Sequence, residues 1–117
     1  MKDEWLKGVE DQYPKELLEG RINAEASVIG LLWKDPLILD EVSLSSTDFL
    51  SKDGRFYFGV EKHLRSKNLN EFDEVSVVSN LTEDTLEQFN DRGGYKEIDN
   101  LASIVSLRNR DAILDDL

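Results

Sequence analysis

The chain has 117 residues, with 14 Lys and Arg against 25 Asp and Glu, a formal net charge of −11 at pH 7. This length fits one domain of ordinary size, and the clustering of its apolar residues separates it from a disordered acidic tail. With no cysteine and a single histidine, a disulfide framework, a thiol nucleophile and a Cys/His zinc site are excluded. The longest apolar run, Val28 to Trp33 with one glycine inside it, is far too short to span a membrane. Met1-Lys2-Asp3-Glu4 lacks the basic-then-apolar layout of a signal peptide. The expectation is a cytoplasmic protein with no membrane partner.

Residues 1–22, carrying Trp5, Leu6, Val9, Tyr13, Leu17 and Leu18, are expected to form an extension of one or two helices interrupted near Pro14. Asn23 reads as the N-cap of the next helix, in which Ala24, Val28, Leu31 and Leu32 recur at i, i+4, i+7 and i+8. Asp35-Pro36 has the form of a second N-cap with proline at the first helical position, opening a short, mostly buried helix with Leu37, Ile38, Leu39 and Val42. Ser45-Ser46-Thr47 ends it, and Phe49 is placed as a core plug from a turn. Phe56, Val60 and Leu64 mark one face of a helix from about Asp53 to Lys67. After a loop at Asn68-Leu69-Asn70, a short helix opens near Phe72 or Asp73 and carries Val75, Val78 and Leu81. Thr82 caps another, with Glu83 and Asp84 in its positively polarised first turn. Gly93-Gly94 ends that helix, one of the pair in the left-handed conformation. Tyr95, Ile98, Leu101, Ala102 and Val105 form the last clear stripe.

The fold class is therefore all-α, a compact bundle of about six helices. The apolar pattern of Leu107, Ile113, Leu114 and Leu117 runs to the final residue, and the expectation is a chain cut from something longer. Residues 104–117 are read as the start of a C-terminal helix or hairpin after a helical domain over 23–103.

Charge is uneven along the chain. Residues 51–70 carry five cations against two acids, a net of +3, while residues 71–100 carry two against nine. Lys62, Arg65 and Lys67 make a weak basic patch, a poor footing for nucleic-acid binding by counterion release.

Chemical motifs fail on inspection. Gly54 to Gly59 has the glycine spacing of a phosphate-binding loop, but Val60 and Glu61 stand where lysine and a hydroxyl are needed. His63 has neither a nucleophile nor an orienting partner nearby in sequence, and is read as a residue on or beside the buried stripe. Asp40-Glu41, Asp73-Glu74 and Asp115-Asp116 match no calcium-loop spacing and read as helix-terminus charge. Asn80-Leu81-Thr82 has the form of a glycosylation acceptor that a chain without a secretory signal does not present. The aromatics are spaced as core and rim; only Arg55-Phe56-Tyr57-Phe58 interleaves a cation with rings as a single-strand binder would. No catalytic, cofactor or metal site is expected, and a small helical domain of this kind works by contact.

The order of segments carries a resemblance. Asn23-Ala24-Glu25-Ala26-Ser27-Val28-Ile29-Gly30-Leu31-Leu32, followed by Asp35-Pro36 and Asp40-Glu41-Val42, resembles the opening of the N-terminal domain of DnaB-type replicative helicases. Thr47-Asp48-Phe49 is similar to that family's "xDF" turn, and Arg55-Phe56-Tyr57-Phe58 through His63-Leu64 to its "R-x-IF-x-A-I-x-x-L" helix. Phe72 to Val78 stands where the family has "ID-x-V-T-V", and Gly93-Gly94-Tyr95 through Leu101 resembles "GG-x-x-Y-L-x-x-L". The match spans about Asn23 to Leu101. The acidic first 22 residues depart from it, as does Leu69-Asn70-Glu71 in place of a Gly-x-Pro-containing turn, which suits a phage-encoded or divergent member.

The resemblance implies a non-enzymatic collar domain in DNA replication, acting in self-assembly as a dimer or hexamer and in contact with primase or a helicase loader at the replisome. It also implies that ATP, Mg²⁺ and most DNA contacts belong to a following motor domain. Leu101, Ile104, Val105, Leu107 and Ile113 are the expected self-association or partner face, with packing against the residues 1–22 helix as the alternative. The rival functions are a free-standing acidic regulator of a replication protein and a single-strand DNA binder using Lys62, Arg65 and Lys67.

Overall fold

Pro14 has a fixed φ and no N–H to donate, so the N-terminal segment divides there. The computed structural model describes residues 2–117; Met1, where the signal-peptide reading begins, lies outside them. A short α1 (Lys2–Leu6) precedes the proline and buries Trp5, whose ring stacks on Tyr57 at 5.8 Å. Directly after it, α2 (Lys15–Lys34) runs for 20 residues. Asn23 is thus an exposed mid-helix residue and not an N-cap, and the boundary expected between residues 22 and 23 falls inside a helix. Leu18 and Ile22 extend the buried stripe backwards, and that burial outweighs the weak helix propensity of Asn23.

From Val28 to Trp33 every residue of α2 is buried. A helix apolar all round is covered all round, and α2 is the axis on which the other elements pack. Pro36–Asp40 forms a 3₁₀ turn with Asp35 at its N-cap position. It is less buried than expected: Pro36 and Ile38 face the core while Leu37 is exposed. A second turn at Ser46–Asp48, closed by the Ser45 N–H donating to Asp48 Oδ2 at 2.8 Å, delivers Phe49 into the core.

Ser51 caps α3 (Lys52–Ser66) by accepting the Gly54 N–H at 2.9 Å. The buried face of α3 contains Tyr57, Phe58, Val60 and Leu64; Phe56 is displaced to the rim, under the Arg92 guanidinium at 4.1 Å from its ring centre. Asp73 caps α4 (Glu74–Asn80), as its side chain predicts. The face is reversed, however: Val77 is buried, whereas Val75 and Val78 point outward and Leu81 is half-buried beyond the helix end. Thr82 caps α5 (Glu83–Asp91), which buries Phe89. Gly93 and Gly94 both have positive φ, 107° and 70°, so the chain turns tightly into α6 (Gly94–Ser103). A 3₁₀ turn at Leu107–Asn109 and α7 (Arg110–Asp115) complete the chain, with α7 lying on α2. Seven α-helices and three 3₁₀ turns, with no strand among the described residues, make the domain all-α.

Candidate interaction surfaces

Of the expected partner face, Leu101 and Val105 point inward. They meet α2 at Gly30, where an added Cβ would lie 2.9 Å from Val105 Cγ2 and 3.2 Å from the Leu101 carbonyl. Ile113 is half-buried against the same core. Ile104 is 74% exposed and Leu107 39% exposed. The five residues are therefore divided: Leu101 and Val105 form an internal seam at Gly30, Ile113 lies beside Asn23, Ala24 and Ser27 of α2, and Ile104 and Leu107 are an outward pair left uncovered. The Leu101–Val105 seam meets α2 at Gly30, beyond residue 22, whereas Ile113 lines a groove with Gly20, inside residues 1–22. Lys34 Nζ donates to the Val105 carbonyl at 2.6 Å and Arg110 pairs with Glu41, pinning the chain between the two outward residues and again after them.

The basic patch is similarly divided. Arg65 donates to both Asp40 carboxylate oxygens, at 2.8 and 3.1 Å, and to Asn70 Oδ1 at 3.1 Å. Its hydrogen bonds hold the Asp40 carboxyl below its usual range and push Arg65 further up. A guanidinium so occupied offers little to phosphate. Lys62 stands 5.5 Å over the Phe58 ring and Lys67 is exposed. Beside them a groove of about 320 Å³ has an apolar floor of Leu39, Val42, Leu44 and Phe58.

Gly54 and Gly59 are both inside α3, so the glycine spacing never forms a phosphate loop. His63 is exposed on α3, with Nε2 2.9 Å from the Asn80 carbonyl, a strut between α3 and the end of α4. Asp40 and Glu41 are each taken by an arginine, and Asp73 is occupied as a cap. Among the described residues no three acids or histidines converge as metal ligands do.

Two buried acids escape the sequence reading. Glu25, fully buried on α2, accepts from the Leu50 N–H at 2.8 Å, the Ser51 N–H at 3.2 Å, the Ser51 hydroxyl at 2.8 Å and Arg21 Nε at 3.2 Å. This carboxylate fixes the start of α3 to α2 and answers donors that a helix N-terminus leaves open. Its position in an apolar run, between Ala24 and Ala26, was the available signal. Glu61, fully buried on α3, has no hydrogen-bond partner at either oxygen, and burial alone pushes its carboxyl well above the usual range. No sequence signal separates it from Lys62 beside it. A scan against protein-family models and searches of curated proteins and of solved structures return no match to this chain.

Proposed function

We propose that the chain is an interaction module, the N-terminal collar domain of a DnaB-type replicative helicase, serving self-assembly and contact with primase or loader. The observation that carries this reading is the order and spacing of the six segments from Asn23 to Leu101. A contact beside one of them supports it: Glu25, in the first, grips Leu50 and Ser51, which directly follow Thr47-Asp48-Phe49. Arg21 adds a bond to the Asp48 carbonyl. A collar also needs apolar surface left over for neighbours, and Ile104 and Leu107 supply it. ATP and Mg²⁺ have their place in the motor domain of such a helicase.

Light scattering across a concentration series tests the contact role. A concentration-dependent dimer is expected, and Ile104→Asp, at an exposed position that leaves the core intact, should shift it to monomer. A dimer indifferent to Ile104→Asp, or a monomer throughout, removes Ile104 from the interface. The reading frame tests the identity: continuation into an ATPase domain favours the helicase, and a stop favours the acidic regulator.

A further inference from the structure

Beyond the C-terminal surface, a groove of about 360 Å³ opens between the end of α2, the α3–α4 loop and α6. Trp33 lies along it, with the Phe72 ring 5.0 Å away at 52° and the Tyr95 ring 5.8 Å away at 56°. The Tyr95 hydroxyl donates to the Phe72 carbonyl at 2.9 Å and so locks one wall to the other. Glu71 and Asp73 flank Phe72 on one side, and Asp99, one helical turn past Tyr95, stands on the other. Burial, then the charges of Asp99, Asp73 and Glu74, push the Tyr95 hydroxyl upward. None of the four forms an ion pair among the described residues. Lys34, the cation at the groove's end, is tied to the Val105 carbonyl.

A second observation points to a ligand. Trp33 is only 4% exposed, and its indole N–H has no acceptor in the protein. A buried donor left without a partner is costly, and the residue that carries it borders the groove.

We infer that this groove binds an arginine-bearing peptide segment of a partner protein, its guanidinium held among Glu71, Asp73 and Asp99 against the aromatic walls and a backbone carbonyl accepting from Trp33. Among the described residues no three acids or histidines are placed to hold a metal ion, and rings beside carboxylates suit an organic cation. Guanidinium is weakly hydrated and stacks on rings, which favours arginine over lysine. The charge is complementary on the scale of the segment too, since residues 71–100 carry the chain's largest excess of acid. This inference does not depend on the helicase reading.

The test uses the ¹⁵N-labelled full chain titrated with a blocked tetra-arginine peptide while the two indole N–H resonances are followed, Trp5→Phe assigning the Trp33 signal. A saturable shift of that signal is expected, with tetra-lysine weaker. The double variant Asp73→Asn, Asp99→Asn should bind about tenfold more weakly; asparagine still caps α4, so the fold survives. Asp115→Asn with Asp116→Asn removes the same charge elsewhere and should change little. A Trp33 signal that does not move overturns the proposal. So does equal weakening in both double variants, which would mark attraction to net charge alone.

Discussion

Glu25 and Glu61 are equally buried, on helices that face each other, and they are held in opposite ways. The first is surrounded by donors and ties α3 to α2; the second has none. A carboxyl without donors is kept neutral by its surroundings, because ionising it there costs more than in water. Arg65, one turn on, does not relieve it, being bound to Asp40, and no other charge on the packed elements figures in its shift. The sign of the pH effect follows. In the unfolded chain Glu61 ionises near 4.5, while the folded protein keeps its proton well above that. Its contribution to stability is complete below pH 4.5 and is lost as pH rises toward the folded value, by about 1.4 kcal/mol per pH unit inside that window. The lowered carboxyls of Asp40 and Asp73 act in the other window, losing their contribution as pH falls below about 3.8. Glu61→Gln should therefore match the wild type in urea unfolding near pH 4.5 and exceed it increasingly toward pH 8. Parallel profiles for the two proteins would mean that Glu61 is solvated and ionised in the fold.

Between elements, α6 fits closely on α2 at Gly30. Glycine inside a helix costs roughly 0.5–1 kcal/mol relative to alanine, so helix propensity alone favours replacement. The site does not, because an added Cβ meets Val105 Cγ2 at 2.9 Å and the α6 backbone at 3.2 and 3.3 Å. Carbonyl oxygen and Cα cannot rotate away, so α6 must shift as a body. Overpacking of this kind costs about 1–3 kcal/mol, and Gly30→Ala is expected to be net destabilising in thermal or urea unfolding. Gly20, on the same helix with nothing within 4 Å of an added Cβ, is the control: Gly20→Ala should stabilise. If Gly30→Ala stabilises as well, α6 is not seated as closely as described.

Across the whole molecule, 11 excess negative charges occupy a body of 39 × 31 × 23 Å. At 0.01 M salt the screening length is about 30 Å, so charges across most of the domain repel one another; at 0.15 M it is about 8 Å and only neighbours do. The attractive pairs, Arg65–Asp40, Arg92–Asp53 and Arg110–Glu41, are short-range contacts that screening weakens less. The melting temperature is expected to rise between 0.01 and 0.15 M NaCl. A fall would mean that these ion pairs outweigh the general repulsion.

How much could be read in advance depends on how far the deciding interaction reaches along the chain. The caps at Asp73 and Thr82, the turn at Gly93-Gly94 and the break at Pro14 were legible because each is settled within about four residues, by a side-chain oxygen, a positive φ or a missing N–H. So was the all-helical class, from the apolar period. The facing of each helix was not. Val75 and Val78 satisfy the same spacing rule as a buried pair, yet Val77 is the residue that α4 buries. The expected partner face split for the same reason: Leu101 and Val105 meet Gly30, a residue some seventy positions away, and Ile104 between them is turned outward. Composition alone determined the net charge and the lack of thiol chemistry, and the order of residues determined the helical periods. Only tertiary packing decided which carboxylates are buried, which cations are already paired and which aromatics border a groove, because those depend on residues distant in sequence arriving at the same place.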